Sequence, residues 1–147
     1  MSVTSEEIDA IRLANEQFYR ALTNLNIEAM DTIWAHEGNV RCIHPGWEAI
    51  EGWDLIRQSW EAIFSNTASL IVEPSRVAVR VEGRIAWVSC LESITSGGAG
   101  GGVSLAHATN LFVRTAQGWK MILHHASQVP AGARRGLDEE DDGPVVH

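Results

Sequence analysis

Apolar residues recur at helical spacing over residues 5–23, where Ile8, Ile11, Ala14, Phe18 and Leu22 share a face. Thr4 followed by Glu7 is a capping-box pattern that marks the start. Asn26 suits the N-cap of a second helix carrying Met30, Ile33 and Trp34, with His36 near its C-terminus, where an imidazolium is mildly favoured. A short strand from Asn39 to Ile43 breaks at His44-Pro45-Gly46, because proline pushes the residue before it towards extended geometry. A third helix runs from Trp53 to Phe64, with Trp53, Ile56, Trp60 and Ile63 on one face. The period then changes to two. Val77, Val79 and Val81 alternate with Arg76, Arg80 and Glu82, which predicts a half-exposed strand ending in the turn Glu82-Gly83-Arg84.

Two long strands follow, Ile85–Thr95 and Val103–Thr115, and Ala116-Gln117-Gly118 turns the chain into a last strand, Trp119 to Val129. The first of them is apolar on both faces, with Ile85, Trp87 and Leu91 on one and Ala86, Val88, Cys90 and Ile94 on the other. Helices can cover only one of those faces, so a second copy of the chain, a homodimer through the sheet face, is the simplest cover for the other. The glycine-rich run Ser96–Gly102 lacks the spacing of a dinucleotide fingerprint and is followed by a strand, so it reads as a flexible hairpin loop. The order predicts an α+β domain over residues 1–130, in which three helices cover one face of a curved, mostly antiparallel sheet and leave a conical hollow. Residues 131–147, with the run Asp138–Asp142, have too few apolar side chains to pack and read as an acidic, solvated extension.

Composition narrows the function. The formal net charge is −8, of which −3 lies in the last seventeen residues. A body so poor in clustered Lys and Arg is a poor match for nucleic acid. No stretch approaches the roughly 20 apolar residues of a membrane span, and the N-terminus has no basic region followed by an apolar run. Cys42 and Cys90 sit in apolar strands and read as reduced core thiols, which fits a soluble cytoplasmic protein. His44, His107, His124, His125 and Glu48 lack metal-site spacing, and no nucleophile elbow is present, so neither a metal nor another cofactor is expected.

Three polar positions carry candidate chemistry. His44, at a strand end fixed by Pro45 and Gly46, offers an imidazole whose ordinary pKa suits a general base. Asn110 sits within an apolar strand, where a buried amide needs partners and could donate to a developing oxyanion. His124 and His125 point to opposite faces. A two-residue turn at Gln117-Gly118 would pair Asn110 with His125, and a three-residue loop would pair it with His124. The apolar set Trp119, Met121 and Leu123 favours His125 as the one facing the helices.

The element order, the run Ala108–Phe112 through Gly118-Trp119 to His124–Ser127, and His44-Pro45-Gly46-Trp47 with Gly52-Trp53 resemble the SnoaL-like branch of the nuclear transport factor 2-like superfamily. The resemblance covers residues 5–130 and implies a cone-shaped, cystatin-like α+β barrel. Its members include steroid isomerases, polyketide cyclases, dehydratases, epoxide hydrolases and binding or assembly domains, so fold alone does not choose a reaction. Against the ketosteroid isomerase pattern, the general-base position falls on His44, the oxyanion-donor position on Asn110, and the helix tyrosine on Phe18. Tyr19 lies one position away, about 100° round the helix.

These readings predict a pocket for a small apolar or carbonyl-containing ligand. As a cofactor-independent isomerase, cyclase or lyase, the protein would use His44 to take a proton α to a carbonyl. Asn110 would stabilise the enolate and His125 would shuttle the proton. Phe18, Trp34, Trp47, Trp87 and His124 would line the pocket. The rival is a non-catalytic binding or assembly domain of the same fold.

Overall fold

The structure is a computed structural model that describes residues 3–98 and 101–130. The expected acidic extension, and Ala99 and Gly100 of the glycine-rich loop, lie outside the described residues. Helix α1 spans Ser5–Thr23, and the Thr4 hydroxyl accepts from the Glu7 N–H at 3.1 Å. Helix α2 spans Ile27–Ile33, capped by the Asn26 side chain, which accepts from the Ala29 N–H. Trp34 then bridges to Met121, which draws the chain out of the helix and leaves His36 beyond its end. Two short strands, β1 (Arg41–Ile43) and β2 (Ile50–Glu51), flank the His44-Pro45-Gly46 turn and precede α3 (Trp53–Ser65). Four long strands complete the chain: β3 (Leu70–Glu82), β4 (Ile85–Ser96), β5 (Gly102–Thr115) and β6 (Gly118–Val129).

The strands form one unclosed six-stranded sheet in the order β2-β1-β6-β5-β4-β3, antiparallel except where β1 runs parallel to β6. Alternation divides each long strand between two faces. On the inner face, Ala86, Val88, Cys90, Ala106, Ala108 and Phe112 are buried against the helices. Apart from Phe112 these are small, and they leave room for the larger helix side chains Ile11, Phe18, Met30 and Ile56, all fully buried. On the outer face, Ile85, Trp87 and Leu105 stay 36–39 % exposed. β3 is longer than the valine alternation alone predicts, because a bulge between Ser75 and Ala78, with Arg76 at φ 52°, reconnects two strand segments in different register.

A second bulge decides the site. The β5–β6 turn holds two residues, Ala116 and Gln117, and pairs Thr115 with Gly118. Carried along unbroken, that register would set Leu123 opposite Asn110. It slips by one residue where Phe112 pairs with Met121 and Leu111 with Leu123, leaving Ile122 as the extra residue. Beyond it, Asn110 pairs with His124 and the in–out alternation of β6 is reversed. His124 is therefore buried and His125 exposed, which corrects the expectation that His125 faces the helices.

Candidate active site

A cavity of about 280 Å³ opens between α3, the His44 turn and the inner face of β3–β6. Its apolar wall includes Leu22, Trp47, Trp60, Ile63, Val72 and Ile94, and its polar groups include His44, Glu92 and His124. Each polar group arrives for a local reason. The β1 strand ends at His44, whose ring is wedged edge-on between Trp47 and Trp60. Glu92 occupies an inward position of β4, in phase with Val88 and Cys90. His124 is turned inward by the β6 bulge and rests on Phe18 at 4.8 Å between ring centroids.

Hydrogen bonds set the protonation of the two imidazoles. The Ser59 hydroxyl donates its single proton to the Ile56 carbonyl at 2.6 Å, so at 2.9 Å it accepts from His44 Nε2–H. His44 Nδ1 is then an acceptor, facing the Cys42 thiol at 3.9 Å. On the other wall, Tyr19 Oη donates to Glu92 Oε2 at 2.6 Å. Having spent its proton, Tyr19 accepts from Asn110 Nδ2, which also donates to Asn15 Oδ1. That orientation leaves Asn110 Oδ1 to accept from His124 Nδ1–H at 2.6 Å, and His124 Nε2 is bare.

Burial shapes the acid–base properties. Desolvation pushes the Glu92 carboxyl up to about 7, with the Tyr19 hydrogen bond working against it. Desolvation lowers His44 to about 4 and His124 to about 3, the latter helped by the neighbouring imidazoles. Both rings are therefore neutral near pH 7. Tyr19 is pushed far above its ordinary value by burial and by Glu92, and stays a hydroxyl donor. Glu92 Oε2 and His124 Nε2 are 4.0 Å apart, close enough for one bound polar group to touch both.

The residues singled out from the sequence do not all meet here. His44, Trp47 and His124 line the cavity. Phe18 backs His124, and Asn110 lies one layer deeper with both amide atoms engaged, so its placement is that of a support for His124. Trp34 is buried against Trp53 away from the cavity, with its ring stacked at 5.8 Å. Trp87 is on the outer face with Ile85, and His125 is outside as well, so neither can touch a ligand in the cavity. Sequence reasoning missed Glu92, Tyr19, Asn15 and Ser59. A signal existed for Glu92, a carboxylate in the apolar phase of β4.

A wider surface cleft of about 550 Å³ lies between the α2–β1 segment and the start of α3. Its Glu37, Glu51 and Asp54 are exposed, and no buried polar network reaches it. Among the described residues, no group of three or more metal-ligating side chains is present, and no helix is long and apolar enough to cross a membrane.

The fold has recognisable relatives. The sequence profile of the SnoaL-like domain matches residues 11–132, and the chain belongs to that family, within the nuclear transport factor 2-like superfamily. It is 33% identical to a candidate dehydratase of the NTF2-like family from Streptomyces avermitilis, covering 88% of this chain and 100% of that one with a TM-score of 0.82. It is 26% identical to a candidate calcium/calmodulin-dependent protein kinase type II association domain from Thiobacillus denitrificans, covering 80% of this chain and 93% of that one with a TM-score of 0.72. Over 118 residues, 80% of this chain, it is 28% identical to the F-box protein SKIP8 of Arabidopsis thaliana, and it spans about half (49%) of that protein's length.

Proposed function

We propose that the protein is a cofactor-independent lyase or isomerase that moves a proton next to the carbonyl group of a small, largely apolar substrate. The observation that carries this reading is a buried carboxyl, Glu92, held near pKa 7 beside the bare nitrogen of His124 in an apolar cavity. A general base is most effective when its pKa lies near the working pH, and burial has brought Glu92 there. In this scheme Glu92 takes the proton from carbon and the electron pair moves into the enolate. The proton then returns to another carbon in an isomerisation, or to a departing β-hydroxyl as water in a lyase reaction. His124 relays it, and His44 on the facing wall orients the substrate. Likeness to the Streptomyces candidate dehydratase supports the lyase arm.

The cavity limits size, since about 280 Å³ is at or below the lower end of the roughly 300–1,000 Å³ typical of ligand pockets. We further propose a homodimer through the outer sheet face, where Trp87 pairs with Leu111 and Ile85 with Val113. The two buried, unpaired cysteines suit a reducing, cytoplasmic setting.

The second reading, a non-catalytic binding or assembly domain, is favoured by the likeness to the kinase association domain. Exchange of α-protons separates the two. Small aryl ketones, both plain and hydroxylated (2-tetralone and 6-hydroxy-2-tetralone), incubated with the protein in deuterated buffer, are expected to lose α-protium faster than with buffer alone, the hydroxylated ketone most. Glu92→Gln is expected to slow that exchange by about 10²–10⁴-fold with the fold intact. A ketone that binds without accelerated exchange would support the binding domain instead.

A further inference from the structure

The hydrogen-bond network makes the cavity's deep polar face an array of acceptors. With Glu92 ionised, above about pH 7, the protons around the Glu92–His124 pair are spent inside the protein: Ser59 to Ile56, His44 Nε2–H to Ser59, Tyr19 to Glu92, and His124 Nδ1–H to Asn110. What Glu92 and His124 then offer a ligand is lone pairs. Glu92 Oε1 has no partner among the described residues, and His124 Nε2 has none within hydrogen-bond distance. Among the described residues, the only buried side-chain polar atoms without a partner are the indole nitrogens of Trp34 and Trp60. Glu92 Oε1 and His124 Nε2 are therefore not sealed off, and they open onto the cavity that both residues line. On the facing wall His44 Nδ1 already faces the Cys42 thiol at 3.9 Å, so the acceptors left for a ligand are those of Glu92 and His124.

Among the described residues, no lysine or arginine lines the cavity. A carboxylate or phosphate ligand would meet two acceptors, one of them the Glu92 carboxyl, with no cation among those residues to offset its own desolvation. A methyl ether or an isolated ketone would leave the acceptors unpaired, which is costly for buried groups. A cation would also be desolvated here, and the site's own imidazoles are kept neutral by the same surroundings. An uncharged hydroxyl gives its one proton to Glu92 Oε1 or His124 Nε2 and costs less to desolvate than a charged group.

We propose that this cavity recognises its ligand through an uncharged hydroxyl group, a phenol or alcohol donating its one proton to Glu92 Oε1 or to His124 Nε2, and that it rejects carboxylates of the same shape. This rests on the proton-transfer reading only in using the same cavity, and it names the substrate class: a hydroxylated carbonyl compound in place of a simple ketone or an acid. The rest of the lining allows an apolar body, since Trp47, Trp60, Ile63 and Val72 surround the polar face.

Four probes of one shape test it on the full chain by calorimetry at about pH 8, where Glu92 is ionised: 2-naphthol, 2-methoxynaphthalene, 2-naphthoate and 2-naphthylmethylammonium. Naphthol is expected to bind at least tenfold more tightly than the ether or the carboxylate. Glu92→Gln places an amide donor on the face, because Tyr19 then holds the amide oxygen. That variant is expected to lose most of the naphthol preference and to gain affinity for the ether. Long-range proton–nitrogen NMR provides a ligand-free readout, with His44 expected as the Nε2–H tautomer and His124 as the Nδ1–H tautomer. Equal or tighter binding of the ether, the carboxylate or naphthylmethylammonium would overturn the proposal, as would no naphthol binding at millimolar concentration or the reverse tautomers. Naphthol preference without ketone exchange would remove the reaction and keep the acceptor face. Exchange without naphthol preference would do the opposite.

Discussion

Asn110 and His124 stand opposite each other on β5 and β6, and Asn110 Oδ1 accepts from His124 Nδ1 at 2.6 Å. The same amide holds Asn15 and Tyr19, so one side chain from the middle of the sheet ties helix α1 to the cavity wall. Replacing Asn110 with Ala strands three buried partners at once. The expected cost is about 2–3 kcal/mol in urea unfolding, because unpaired buried groups lose their full desolvation energy. The His124 ring is also expected to lose its single tautomer, seen as a changed nitrogen shift.

The pH dependence of stability follows from three buried groups. Glu92 titrates near 7 in the folded chain against an ordinary value of 4.5, so between those values the folded state holds a proton the unfolded state has released. Its contribution therefore falls as pH rises through that window. His44 and His124, lowered to about 4 and about 3 from 6.5, act in the opposite sense, and their contribution is lost on acidification below 6.5. Two groups outweigh one, so the melting temperature is expected to fall below pH 6.5. Glu92→Gln removes the penalty of an ionised buried carboxyl. It is expected to gain on the order of 2 kcal/mol at pH 8 and nothing near pH 4. An equal gain at both pH values would show that the carboxyl is not desolvated in the folded chain.

The adjacent histidines make a matched pair of variants. His125 is exposed, so His125→Ala is expected to change stability by less than about 0.5 kcal/mol and leave ligand binding intact. His124→Ala removes a ring packed on Phe18 and bonded to Asn110, at an expected cost of about 2–3 kcal/mol. Ketone exchange and naphthol binding should be lost with it. Melting curves and calorimetry on the two variants together check the facing of β6.

The proposed dimer is tested on the outer face. Trp87 is one third exposed, and glutamate there would place a charge in the middle of the interface. Sedimentation is expected to show wild-type dimers and Trp87→Glu monomers of unchanged helix and strand content. A wild-type monomer at micromolar concentration would remove the interface.

Much of this architecture was legible in the residues, and the exceptions have physical causes. Thr4 and Asn26 cap the helices they were expected to cap, because capping depends on one side chain and the next turn of backbone. His44 reaches the cavity because Pro45 and the Gly46 turn, at φ 83°, end β1 there. Phe18 and Tyr19 point about 100° apart, yet both are buried, because α1 is covered on one side by the sheet and on another by α3. A comparison keyed to one helix position therefore passed over Tyr19, which supplies the hydrogen bond to Glu92. Strand β2 was missed because two residues give no period. The facing of His124 was hidden because alternation assumes an unbroken ladder, and a bulge leaves no mark in the pattern of apolar residues.

That bulge makes the site tolerant of a particular kind of sequence change. The chain brings Asn110 opposite His124 by combining a two-residue turn with one extra residue at Ile122. A hairpin whose loop is one residue longer and whose strand is one residue shorter before the site would arrive at the same pairing. Relatives could therefore carry an insertion near Gly118 and a deletion near Ile122 that cancel, keeping the inward imidazole in frame while an ungapped alignment mismatches only the stretch from Gly118 to Ile122.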